Sequence, residues 1–230
     1  MLAAKIKSSY LYGFTEKDGL DTKPILGKEL YPDFLHPFTT VKTLKIWYGT
    51  TGKSDIRTLL GIKVEYINYI TCERKETNYQ GAPIEGIDVK FKELDIEEGD
   101  YLSKFNIGFD DYITHIKFKT KKGNCIEYGI ITDNEKQSVN EINEENNIIL
   151  NIKGYYNKNG IQSIGFEYIN YRDFYFIRWI NILRLRHKFK DENSRNKMEK
   201  EYPKLNDGMK CIYKTCSLSD EFFYKILRYL

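Results

Sequence analysis

From Val41 onward the apolar positions recur close to every second residue. Val41, Leu44, Ile46 and Tyr48 set against Lys42, Thr43, Lys45 and Trp47 give one strand. Ile62, Val64 and Tyr66 against Lys63, Glu65 and Ile67 give another, with turn chemistry at Thr51-Gly52-Lys53-Ser54-Asp55 between them. Four further strand-like units follow. They are residues 87–91, 98–108, 113–120 (joined to 125–130 by Lys121-Lys122-Gly123-Asn124) and 148–156 (followed by 161–170). Residues 71–86 read as a loop with one short edge strand, and 133–147 as a charged, Asn-rich connector. Residues 1–40 are punctuated by Gly13, Gly19, Pro24, Gly27, Pro32 and Pro37 and predict irregular structure. Short strands at this spacing, with no helical period between them, predict an all-β barrel, sandwich or prism.

After Asn170 the pattern changes. Residues 174–189 are dense in Phe, Ile, Leu, Trp and Arg, and a polar run follows before Pro203. Helix is expected over 173–200, where charged helix formers fill the second half. Ser217-Leu218-Ser219-Asp220 has the form of a capping box, and Phe223, Ile226, Leu227 and Leu230 share a helical stripe behind it. The chain thus divides into an N-terminal segment (1–19), a β domain (20–170) and a basic, aromatic-rich helical extension (171–230).

Composition agrees with a packed protein. Of 230 residues, 41% are apolar and 30% charged, which excludes intrinsic disorder. The net charge of +3 is uneven: residues 171–230 carry 14 Lys/Arg against 8 Asp/Glu, a surplus of +6, which leaves −3 for residues 1–170. A basic tail suits an anionic or protein partner, though a solvated helical face accounts for the same charges. Within it, Arg178, Trp179, Arg184, Arg186 and Lys188 are the candidates to hold a protein partner or a membrane surface; nucleic acid is not expected. The four cysteines form no disulfide framework or zinc spacing, and Cys125 is expected to be a buried free thiol. Residues 1–7 lack the apolar core of a signal peptide, and no run reaches the ~18 apolar residues of a membrane span, so a cytoplasmic, reducing compartment is favoured. An excised fragment of a secreted protein would read the same way.

Catalytic chemistry is not expected. His36, His115 and His187 have no partner pattern, and the phosphate-loop, dinucleotide, nucleophile-elbow and zinc-peptidase motifs are missing. The Gly-Lys-Ser at 52–54 lacks the first glycine of a phosphate loop, because position 47 is Trp. No cofactor or metal is expected.

Residues 27–34 leading into Thr40-Val41-Lys42-Thr43-Leu44-Lys45-Ile46-Trp47-Tyr48-Gly49 resemble the opening of jacalin-related lectins. The likeness continues through Gly61-Ile62-Lys63-Val64-Glu65-Tyr66 and the later strands to Gln162-Ser163-Ile164-Gly165-Phe166-Glu167-Tyr168. The resemblance implies a three-sided β-prism of antiparallel hairpins over residues 20–170. It also implies a non-enzymatic lectin that binds a monosaccharide or glycan, free or on a glycoprotein, through loops at one end. Carried over residue by residue, the site comprises Gly27, the loop Asp110, Asp111 and Tyr112, and the last hairpin with Asn157, Asn159, Gly160 and Gln162. Vicinal hydroxyls need fixed acceptors and close N–H donors, and an aromatic ring can cover a sugar's apolar face. The sequence departs from the family at two positions. Where the family's Gly-x-x-x-Asp element has its glycine and acid, this chain has Lys158 and Gln162 (or Ser163, with the gap placed differently). A neutral amide forgoes a charge-assisted bond about twice as strong as a neutral one. A lost sugar pocket, with the prism kept as a rigid scaffold for a partner held by 171–230, is the alternative.

Overall fold

The computed structural model describes residues 6–13, 22–27, 39–50, 57–68, 72–84, 88–129, 136–138 and 147–190, and in the extension residues 196, 200, 210, 214–219 and 223. For residues 136–138 and for 176–179, 181, 184, 185 and 188–190 the description covers backbone only.

Fourteen strands and one long helix are described. They are β1 (Lys7–Ser8), β2 (Tyr12–Gly13), β3 (Lys23–Ile25), β4 (Thr39–Thr50), β5 (Arg57–Asn68), β6 (Arg74–Glu76), β7 (Gln80–Gly81) and β8 (Lys90–Asp95). There follow β9 (Leu102–Phe109), β10 (Ile113–Thr120), β11 (Cys125–Tyr128), β12 (Lys136–Ser138), β13 (Asn147–Asn157), β14 (Gly160–Asn170) and α1 (Tyr171–Lys190). They form three antiparallel sheets. The first has the order β1-β14-β13-β3, with β2 also on β14. The second is β6-β5-β4-β8, with β7 also on β5, and the third is β11-β10-β9-β12.

Each sheet turns one face inward, as the period-two pattern requires. Leu44, Ile46, Ile62, Val64 and Tyr66 come from the second sheet, Phe105, Ile107, Ile116 and Phe118 from the third, and Ile152, Ile164 and Phe166 from the first; all are buried in one cluster. Phe166 stands where sheets meet, its ring 4.0 Å from Phe105 and 5.7 Å from Phe118. One core shared by three sheets is the three-sided prism that the strand pattern and the resemblance led us to expect.

The prism's first sheet reaches back to Lys7, ahead of the boundary at residue 20. β1 and β2 are two residues each and lie on β14, so pairing rather than periodicity makes them strands. β8 begins at Lys90, three residues later than the sequence pattern suggests. Cys125, expected to be buried, is exposed at the start of β11.

The last strand runs straight into the helix. Asn170 caps α1: its side-chain oxygen accepts the Arg172 N–H at 2.9 Å, satisfying one of the donors that a helix start leaves open. Asp173 adds a favourable negative charge to the first turn. Phe174, with Tyr171 and Tyr175 beside it, packs on Tyr101, Ile148, Leu150 and Ile169 at the end of the prism where β14 finishes. Further along α1 the guanidinium of Arg186 lies 4.1 Å from the centre of the Phe223 ring, and its Nη1 donates to the Cys216 carbonyl at 2.7 Å. Only 5% of Arg186 is exposed. The expectation that Arg186 faces a partner or membrane is therefore corrected: it ties the end of the extension to α1. The side chains of Arg178, Trp179, Arg184 and Lys188 lie outside the described residues. In the expected capping box, the Ser217 hydroxyl turns back to donate to the Lys214 carbonyl. The Ser219 carbonyl, instead, accepts the Phe223 N–H that opens the next turn.

Burial pushes the Cys216 thiol up to about 11, while Cys72 and Cys125 are exposed. Alkylation of the native protein with iodoacetamide at pH 8, followed by peptide mapping, is expected to label Cys72 and Cys125 first. Cys216 should react only on unfolding, and Arg186→Ala should bring its labelling forward by loosening the contact that covers it.

Candidate functional site

The end of the prism away from α1 is closed by the β13–β14 hairpin, and its geometry starts from two residues. Asn157 pairs with Gly160 across the turn, leaving Lys158 and Asn159 as the loop. The Asn157 side-chain oxygen accepts the Asn159 backbone N–H at 2.8 Å, an Asx turn that holds the tip. Gly160 takes φ +146°, and a Cβ there would come within 3.0 Å of the Leu59 carbonyl and 3.1 Å of the Thr58 hydroxyl. Glycine at this position lets the tip lie down on the start of β5.

The second loop is the three-residue connection between β9 and β10. Phe109 pairs with Ile113, and the Asp110 N–H donates to the Tyr112 carbonyl at 3.0 Å. Asp110 and Asp111 are exposed and Tyr112 is half-buried. The Tyr112 hydroxyl accepts from Asn157 Nδ2 at 3.2 Å and from Asn159 Nδ2 at 3.1 Å. One phenol thus ties together two loops that stand 45 and 47 residues apart in sequence.

Gln162 occupies a bulge. Ile161 pairs with Tyr156 and Ser163 with Tyr155, so Gln162 is the extra residue on β14. A bulge re-aims side chains at a sheet's end. The Gln162 Oε1 accepts from the Thr22 hydroxyl at 3.1 Å. Gly13, opposite Ser163 with φ +112°, lies against this residue: a Cβ on it would sit 2.2 Å from the Gln162 carbonyl oxygen.

The structure therefore brings Asp110, Asp111, Tyr112, Asn157, Asn159 and Gly160 to one end of the prism, with Gln162 two residues along β14. Gly27 is not among them. Ile25 pairs with Gly154, and a Cβ on Gly27 would strike Asn151 Oδ1 at 2.0 Å, the Tyr66 hydroxyl at 2.6 Å and the Ile152 carbonyl at 2.8 Å. That is five residues down β13 from Asn157, or roughly 17 Å at a strand's rise. Gly27 instead fits a buried polar link between sheets. The Tyr66 hydroxyl donates to Asn151 Oδ1 at 2.9 Å, and Asn151 Nδ2 donates to Glu167 at 3.1 Å. Beside it Gln80 clamps the Leu26 backbone, accepting its N–H at 2.5 Å and donating to its carbonyl at 2.7 Å. Thr22, Thr58 and Gly13 are the residues at this end that sequence reasoning missed. Gly13 alone carried a signal, as a glycine after an aromatic in the segment set apart as irregular.

Elsewhere, His115 is buried and faces Glu127, with Nε2 and Oε1 3.3 Å apart. The Lys117 ammonium, 2.7 Å from Glu127, holds that carboxyl below the usual carboxylate range, with His115 adding to the effect. Among the described residues no group of three or more His, Cys, Asp or Glu side chains could hold a metal ion.

No protein-family model and no curated protein matches the sequence. Solved structures match over the prism. Artocarpin complexed with methyl α-mannose is 13% identical, with 73% of this chain and 99% of that one covered and a TM-score of 0.51. The Calsepa lectin in complex with a biantennary N-glycan is 15% identical, with 73% and 99% covered and a TM-score of 0.51. The artocarpin–mannotriose complex is 14% identical, with 72% and 99% covered and a TM-score of 0.50. These are jacalin-related lectins, and the chain has their β-prism fold.

Gly27→Ala is expected to destabilise the fold by about 1–3 kcal/mol, seen as a lower urea midpoint, by forcing a methyl into a filled site, without altering the loops at the far end. Chemical denaturation beside the amide spectrum of residues 110–112 and 157–162 checks both halves of that statement.

Proposed function

We propose that the chain is a non-enzymatic recognition module that binds a glycan at the end of the prism formed by residues 110–112 and 157–162. The observation that carries this reading is the Tyr112 hydroxyl joined to both Asn157 and Asn159. It makes two separate loops into a single surface rich in amide and hydroxyl groups. Such groups match sugar hydroxyls one for one, and the partly exposed Tyr112 ring offers an apolar face for a pyranose. Ligands held by proteins of the same fold support the class: methyl α-mannose and mannotriose on artocarpin, and an N-glycan on the Calsepa lectin.

Gln162 replaces the acid that the resemblance expects, and its oxygen is engaged by Thr22. What the site loses in a charge-assisted bond, Asp110 and Asp111 are placed to supply, as exposed carboxylates next to Tyr112. The rival reading, in which the extension holds a partner or membrane through its cations, is weakened by Arg186, which is buried within the extension itself.

The test is a glycan array probed with the full chain, followed by titration of methyl α-mannopyranoside and mannotriose by calorimetry. Binding that falls at least tenfold in Tyr112→Ala and in Asp111→Ala, with the fold intact by circular dichroism, is the expected result. Binding unchanged in both variants would move the site elsewhere, and silence of the folded protein across the array would refute the glycan reading.

A further inference from the structure

Asn157 has a fixed orientation. Its Oδ1 is committed to the Asn159 backbone N–H at 2.8 Å, so its Nδ2 is the atom turned to Tyr112. Asn159 Nδ2 approaches the same phenol oxygen at 3.1 Å. An oxygen that already accepts two N–H bonds has spent its acceptor capacity, and its own proton must point away from both donors. That proton is left for a ligand, and Asp110 and Asp111, exposed in the same loop, add negative charge next to Tyr112 in sequence.

We propose that Asn157 and Asn159 lock the Tyr112 hydroxyl as a hydrogen-bond donor, so that the site selects an uncharged sugar presenting an acceptor oxygen to it. A ring oxygen, a glycosidic oxygen or an N-acetyl carbonyl satisfies that requirement. A sugar carboxylate also accepts, but two neighbouring aspartates repel it, and discrimination by repulsion is as effective as discrimination by attraction. The inference rests on the glycan-binding reading and adds to it a polarity: at Tyr112 the protein gives a proton and the ligand takes it.

Asn157→Asp reverses that polarity with little else changed. The carboxylate still accepts the Asn159 N–H, so the turn is kept, but it also accepts from Tyr112, whose proton then turns inward. Tyr112→Phe removes the hydroxyl altogether.

Two readouts on the full chain separate the possible failures. The tyrosine Fermi doublet in the Raman spectrum distinguishes a phenol that accepts hydrogen bonds from one that only donates, and the wild-type minus Tyr112→Phe difference isolates Tyr112. An acceptor-type doublet in the wild type, shifting toward the donor type in Asn157→Asp, is expected; a donor-only doublet in the wild type overturns the lock whatever the protein binds. On an array of neutral and sialylated glycans, the wild type is expected to take neutral ones. Tyr112→Phe and Asn157→Asp should each lower that binding about tenfold, the cost of one hydrogen bond lost on a half-buried donor. Equal binding by Tyr112→Phe, or a wild-type preference for sialylated glycans, overturns the selection. A wild type that is silent on the array but has the acceptor-type doublet overturns the glycan reading while leaving the hydroxyl's polarity in place.

Discussion

Gly160 takes a φ of +146°, and a Cβ there would sit 3.0 Å from the Leu59 carbonyl, so a side chain would strain the closure of the hairpin between β13 and β14. Much at that end of the prism follows from this closure. It seats the tip on the second sheet, leaves Asn157 free to cap the turn with its own oxygen, and turns the amide of Asn157 outward to Tyr112. The bulge that aims Gln162 toward Thr22 comes two residues later on the same strand. A tight turn held by side-chain amides is how the chain builds a polar surface on top of an apolar prism.

The opposite end is organised by a different economy. There β14 passes into α1 without a linker, Asn170 serving as both last strand residue and helix cap. Aromatic rings of the helix lie over Tyr101 and the ends of β13 and β14. In the extension, the guanidinium of Arg186 is engaged by the Cys216 carbonyl and the Phe223 ring. A buried guanidinium stacked on an aromatic ring and bonded to a carbonyl is a structural element, and a basic composition alone did not reveal that role.

What the sequence made legible follows from what local pattern can encode. The long hairpins β4–β5 and β13–β14 were readable because each residue's face is set by alternation, and the shared core follows from that. β1, β2 and β3 were not, because two- and three-residue strands owe their existence to a partner strand far along the chain. The glycine of the site's N-terminal loop was sought at Gly27, whereas the glycine packed against Gln162 is Gly13. Both are glycines in an irregular stretch, and only the register of β2 on β14 and of β3 on β13 tells them apart. The Tyr112 contact with Asn157 and Asn159 left no trace in the local pattern at all. Each residue is an ordinary turn residue where it occurs, and their meaning is created by the packing of two sheets.

The central claim is that this pair of loops is one ligand-binding surface. The most direct measurement is an amide chemical-shift map of the isotopically labelled chain during titration with mannotriose. Shifts concentrated at residues 110–112, 157–162 and the neighbouring Thr22 and Thr58, with the region of Gly27 and α1 unmoved, are what the account predicts. Shifts centred on the Gly27–Asn151 link or on α1, with the two loops silent, would contradict it.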